Sequence, residues 1–131
     1  MRVIPLPYRF QLGRTELLPL CDVHVLGSRG RTRVQAVFAF EPMFHVGVAD
    51  DAGISLTRSA LVSVQYGGST TLGRRTRVRI ELEQHRFDTD ILFVERLNFP
   101  YGLLGRRGIF SQFNEVVFLE KVYPPRVELR W

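Results

Sequence analysis

The chain has 131 residues and a mass of 15.1 kDa, which is the size of one domain and too short for two. It is 45% hydrophobic and 24% charged, a composition that excludes a disordered or fibrous chain. The net charge is +5 and every basic residue except Lys121 is arginine, so we attribute the excess to general arginine usage and do not expect nucleic acid as a partner.

The amino-terminal residues and the cysteine content bear on the compartment. Pro5, Pro7 and Arg9 interrupt the first apolar residues, so no signal peptide is predicted. No stretch reaches the roughly 18 apolar residues of a membrane helix. The single cysteine, Cys21, can form neither an internal disulfide nor a thiolate zinc site. We therefore expect a cytoplasmic protein with no membrane contact, no metal and no cofactor.

Alternating apolar residues predict strands along most of the chain. The first clear pair covers residues 20–26 and 32–40, which the turn at residues 27–30 joins as a hairpin. Pro42 ends the second strand, because proline cannot donate to a strand ladder. Residues 43–60 fit either strand or helical turn, and Asp50-Asp51-Ala52-Gly53 within them is a turn candidate.

The second half continues the strand pattern. Strands at 61–66 and 75–83 flank a hairpin tip at Gly67-Gly68, and the next strand covers 87–94. The spacing of Ile109, Phe110 and Phe113 predicts one helix over about residues 106–113. Two further strands are predicted at 115–119 and 127–131. We predict a single all-β domain, a small closed β-barrel with one short C-terminal helix.

The most specific signal is Leu103-Leu104-Gly105-Arg106, which leads into the predicted helix and the last strands. It resembles the carboxy-terminal signature of retroviral-type (retropepsin-like) aspartic proteases. Gly67-Gly68 falls where that family carries its flap, the hairpin that closes over substrate. The resemblance covers roughly residues 20–131. It implies a homodimer, paired through its termini and loop region, in which each protomer supplies one Asp-Thr/Ser-Gly loop. Two aspartates then share one proton and activate water for peptide hydrolysis.

The chain departs from this pattern at the catalytic loop, because it contains no Asp-Thr-Gly or Asp-Ser-Gly. In one register the loop is Asp51-Ala52-Gly53, with Asp51 as the catalytic residue. In the other it is Ala39-Phe40-Glu41-Pro42, directly after a predicted strand, and Glu41 is the only carboxylate near the catalytic position. In this second register, residues 52–56 resemble the segment that follows the loop in bacterial relatives.

Two functions therefore stay open, and both take a peptide or protein as substrate or ligand. One is a homodimeric aspartic endopeptidase that uses Asp51. The other is a catalytically degenerate relative, which binds its partner in the dimer cleft or by strand addition at the flap. In the family, the arginine that matches Arg106 ties the active-site loops to the dimer interface. A basic nucleic-acid-binding domain is a third hypothesis, and it is weakened because Glu81 and Glu83 share a strand face with the arginines.

Overall fold

The computed structural model describes residues 2–10, 17–38, 42–66, 68–97, 102–105 and 108–131. Within these ranges the chain forms twelve strands, one α-helix and one 3-10 turn. The strands are β1 (Val3–Pro7), β2 (Arg9–Phe10), β3 (Leu17–Leu18), β4 (Leu20–Gly27), β5 (Gly30–Phe38), β6 (Met43–His45), β7 (Ala60–Tyr66), β8 (Ser69–Leu82), β9 (His85–Val94), β10 (Gly102–Leu104), β11 (Glu115–Leu119) and β12 (Arg126–Arg130). The helix α1 (Val46–Ala52) follows β6, and the 3-10 turn (Phe110–Gln112) precedes β11.

Six strands form a closed hydrogen-bonded ring in the order β4-β5-β10-β6-β9-β8, and β8 pairs back onto β4. The ring is mixed, because β10 runs parallel to β5 and β6 runs parallel to β9. β7 pairs with β8 outside the ring. The 14-residue β8 therefore pairs with three strands, β7 along residues 69–75, β9 along residues 73–82 and β4 along residues 79–82.

The main core fills this ring. On β8 the apolar side chains of Val78, Ile80 and Leu82 are buried, while the alternate arginines are exposed, as expected for a sheet with one solvated face. Phe44 and Phe93 are fully buried, with ring centroids 6.3 Å apart. The coarse fold prediction is confirmed: the protein is mostly strand, with one short helix and a large sheet closed into a ring.

β1, β12 and β11 form a second sheet with β12 at its centre. Its inner face contributes Leu6, Val127 and Leu129 to the main core. The prolines at 5 and 7 obscure β1 in the sequence, but β1 is an edge strand, where proline is tolerated. β1 and β12 come from the two ends of the chain and pair with each other within one protomer.

The helix prediction was wrong in position. α1 lies at residues 46–52, so the turn candidate at residues 50–53 is its carboxyl end. Where the C-terminal helix was predicted, the described residues form only the 3-10 turn, because Gly108 adopts a left-handed conformation (φ 76°) that interrupts a helix. The apolar spacing in this segment reflects burial in the core and not a helix, since Ile109 and Phe113 are buried. Within the described ranges, no helix has the length and apolar character required to cross a bilayer.

Candidate functional site

The signature strand β10 lies beside the second candidate loop. Leu103 pairs with Val37 and Leu104 with Phe38, so β10 runs along the end of β5. Leu103 also pairs with Met43 of β6. β10 is thus inserted between the two strands that flank residues 39–41, and the buried Gly105 follows it directly.

Several predicted site residues fall outside the part of the chain that the structure describes. They are Ala39, Phe40, Glu41, Gly67 and Arg106.

The first candidate loop, Asp51-Ala52-Gly53, is the carboxyl end of α1. Gly53 has φ 75°, the left-handed conformation typical of a helix C-cap. Its backbone N–H donates to the Asp50 carbonyl at 3.1 Å, and the Ile54 N–H donates to the Ala49 carbonyl at 2.8 Å. Ala52 is buried in the main core, whereas Asp51 is exposed. These three residues end a helix.

The same helix end holds the tip of the β4–β5 hairpin. The Arg29 backbone N–H donates to the Ala52 carbonyl at 3.0 Å, and the Ser28 hydroxyl donates to the Gly53 carbonyl at 2.7 Å. The approach is close: a Cβ atom on Gly27 would lie 2.2 Å from the Ala52 carbonyl oxygen. The carbonyl groups of Ala52 and Gly53 are therefore used to join two elements of the fold.

A second apolar cluster lies on the face of β9 opposite the main core. Ile91 and Phe93 belong to the main core, whereas Leu92 and Val94 alternate with them and belong to the second cluster. Its members come from β6, β7, β9, β10 and the residues after β9. This outer apolar cluster consists of the buried Met43, Leu92 and Val94 and the partly buried Val62, Val64, Leu97 and Leu103.

A glycine on β8 allows this cluster to form across the sheet. Gly73 lies between Val62 on one side and Val94 on the other. A Cβ atom on Gly73 would lie 3.1 Å from side-chain atoms of both Leu92 and Val94, so a larger residue would crowd them. The outer apolar cluster is thus continuous from the β7–β8 hairpin to β10.

A hollow of about 260 Å³ adjoins the outer apolar cluster. Arg75 is paired with Leu92 in the β8–β9 ladder, and Leu92 is paired with Met43 of β6. The hollow begins beside these residues, next to the second candidate loop. It is lined by Pro42, Arg75, Arg77, Asp88, Thr89, Asp90, Gly108 and Gln112. Asp51 does not line it.

The two carboxylates of the hollow form ion pairs with arginines. The Arg79 Nε–H donates to Asp88 at 2.9 Å, and this hydrogen bond holds the pKa of Asp88 below its ordinary value. Arg77 lies 3.7 Å from Asp90. An aspartic-protease pair needs one carboxyl that keeps its proton, which requires a raised pKa. Asp88, whose pKa is lowered, therefore does not meet this requirement, and Asp90 forms an ion pair at the surface.

The β7–β8 hairpin contains Gly68, one of the two residues predicted to form a flap. At its tip Gly68 is exposed and has φ 77°, with nothing within 4 Å of a Cβ atom built on it. β7 ends the sheet order, so one of its edges has no strand partner among the described residues. Leu61 on β7 is 54% exposed. The hairpin therefore offers an open strand edge with apolar side chains.

The remaining chemically reactive groups do not form a site in the described part of the chain. Burial raises the pKa of Cys21 to about 12, so the thiol stays protonated and is a poor nucleophile. His45 is the N-cap of α1, where its Nδ1 accepts the Gly47 N–H at 3.0 Å. No group of three His, Cys, Asp or Glu residues able to hold a metal ion occurs in the described ranges.

The outer apolar cluster was not predicted, although the sequence carries one signal for it. Residues 91–94 are an uninterrupted apolar run, which indicates a strand covered on both faces. The partners of this run come from strands that are distant in sequence, such as Met43 and Val62, and their proximity depends on the strand order.

A scan against models of known protein families finds no match to this chain. A search of curated proteins also finds no similar sequence.

Proposed function

We propose that this protein has a retropepsin-like fold and binds an extended segment of peptide or protein at the outer apolar cluster, without hydrolysing it through Asp51. The observation that carries the proposal is the position of this cluster. It lies between the β7–β8 hairpin and β10, outside the main core, and Val62, Val64 and Leu103 are only partly buried. Partly exposed apolar side chains next to an open strand edge are typical of sites that bind a peptide by strand addition.

The state of the first candidate loop supports binding over catalysis. Asp51 is exposed at the end of α1, and Ala52 and Gly53 use their carbonyl groups to hold the β4–β5 hairpin. A catalytic aspartate must face the substrate and be held close to a second carboxyl group. Asp51 is outside both the outer apolar cluster and the residues that line the hollow.

The free edge of β7 supports an extended ligand conformation. β7 already pairs with β8 through seven residues, from Ala60 to Tyr66. A further strand could pair with its other edge and direct alternate side chains toward Val62 and Val64, because side chains alternate between the two faces of a sheet. Main-chain hydrogen bonds would then supply affinity, and the apolar side chains would supply selectivity.

The test is selection of a random octapeptide display library on the immobilised protein, followed by affinity measurements on a selected peptide. We expect Val64→Thr to weaken binding by about three- to tenfold, because it replaces a methyl group with a hydroxyl at the apolar contact. Val3→Thr is the matched control, since Val3 is also on a strand but is 47% exposed on the other sheet. It should leave the affinity unchanged.

Two results would contradict the proposal. The first is a failure to select any peptide whose binding depends on Val64. The second is cleavage of unfolded protein at acid pH by the purified chain, provided that Asp51→Asn abolishes the cleavage and leaves the fold intact. That second result would assign the peptidase activity to Asp51.

A further inference from the structure

The hollow extends the proposed peptide site along the same face of the sheet. On β9, Val94, Leu92 and Asp90 alternate with core residues and therefore share a face. On β8, Gly73, Arg75 and Arg77 pair with these three residues in order. A segment that crosses the outer apolar cluster toward Asp90 therefore passes Arg75 next.

Arg75 differs from the neighbouring arginines on β8. Arg77 has Asp90 at 3.7 Å and Arg79 has Asp88 at 2.9 Å. Arg74, which precedes Arg75 in the chain, donates a side-chain hydrogen bond to the Ser59 carbonyl at 2.7 Å. Arg75 is exposed and has no ion pair or hydrogen bond to any described residue. Its positive charge therefore stays available to a ligand.

We infer that the segment bound at the outer apolar cluster carries an acidic side chain, and that the Arg75 guanidinium binds its carboxylate at the mouth of the hollow. The inference rests on the proposed function and specifies its ligand as an apolar peptide with an adjacent Asp or Glu. The planar guanidinium donates two parallel N–H groups, a geometry that matches a carboxylate. The net charge of +5 favours the approach of an acidic partner.

The experiment is a double-mutant cycle on a peptide selected from the octapeptide library. The peptide is compared with a version in which its acidic residue is replaced by the corresponding amide. Each is titrated against the wild-type protein and against Arg75→Gln. We expect Arg75→Gln to weaken the binding of the acidic peptide by about fivefold and to leave the affinity for the amide peptide unchanged. Arg2→Gln is the matched control, because Arg2 is also exposed but adjoins the other sheet.

The outcomes separate this inference from the proposed function. Selected peptides whose binding depends on Val64, but which are not enriched in Asp or Glu and show no coupling to Arg75, would overturn this inference and leave the proposed function intact. Failure to select any Val64-dependent peptide would overturn both. Self-association of the protein that Val64→Thr abolishes would show that a second copy occupies the face, and would also overturn the inference. Coupling that weakens with added salt supports it.

Discussion

Two buried threonines on neighbouring strands differ in whether their hydroxyl groups are hydrogen-bonded. Thr89 on β9 has an unpaired hydroxyl. Thr71 on β8 is also buried, and its hydroxyl oxygen accepts the Arg96 backbone N–H at 3.1 Å. The pair therefore provides a direct comparison of a satisfied and an unsatisfied hydroxyl in one protein.

We expect Thr89→Val to raise the free energy of unfolding by about 1 kcal/mol, because the substitution removes a buried polar group that has no partner. Thr71→Val should lower it by about 1 kcal/mol, since the Arg96 N–H loses its acceptor. Urea denaturation of both variants measures the two changes. A loss of stability in Thr89→Val equal to that in Thr71→Val would show that the Thr89 hydroxyl has a partner in solution.

At the scale of secondary structure, α1 is a short helix whose stability depends on its carboxyl end. Seven residues are too few for a helix to be stable by itself. Gly53 caps it, and a Cβ atom at Gly53 would lie 2.4 Å from the Ser28 hydroxyl and 2.9 Å from the Arg29 nitrogen. The helix is therefore held by its contact with the β4–β5 hairpin.

We expect Gly53→Ala to lower the free energy of unfolding by about 2–4 kcal/mol, since the left-handed backbone and the contact with the hairpin both resist a side chain. Gly68→Ala isolates the first effect, because Gly68 has nearly the same φ, 77°, and open space around it. It should cost about 1 kcal/mol. Denaturant unfolding of both variants makes the measurement, and equal losses would mean that the hairpin contact contributes nothing.

The sequence predicted the strands better than the helix, for a physical reason. On β8, Val78, Ile80 and Leu82 alternate with charged residues, so the buried face is visible in the pattern. α1 contains two valines and a glycine, which are poor helix formers, and its carboxyl cap is Gly53, which is equally typical of a turn. Local propensity could not identify this helix, because its contacts with β4, β5 and β9 come from distant parts of the chain.

The outer apolar cluster could not be predicted from the sequence, for a similar reason. The structure pairs β10, which contains Leu103 and Leu104, with β5 and β6, whereas the family resemblance drawn from Leu103-Leu104-Gly105 stays a prediction. The binding residues we propose, such as Val64 and Arg75, were present in the predicted strands but had no distinguishing pattern there. Their significance depends on which strands are neighbours, and that information is not local.

At the scale of the whole molecule, the two ends of the chain complete the core. Leu6 of β1 is buried against the ring, and β1 pairs along its whole length with β12. The amino-terminal strand is therefore part of the folded domain and not an extension of it.

We expect Leu6→Ala to lower the free energy of unfolding by about 2–4 kcal/mol, because it removes a buried side chain from the main core. Val3→Ala on the same strand should cost less than about 1 kcal/mol, since Val3 is largely exposed. Thermal unfolding followed by circular dichroism compares the two. A Leu6→Ala variant as stable as Val3→Ala would show that β1 detaches from the ring in solution.

The pairing of β8 has a mechanical consequence for the proposed site. Residues 73–75 have strand partners on both sides, β7 and β9, and residues 79–82 have β4 and β9, whereas residues 69–72 pair with β7 alone. Thr76, Arg77 and Val78 pair with β9 alone within the described structure. The tip of the β7–β8 hairpin, residues 69–72 with their β7 partners, can therefore bend without breaking a strand pair to the ring. Such bending would move Val64 relative to Leu92 and Val94 of the outer apolar cluster, while the ring keeps its shape.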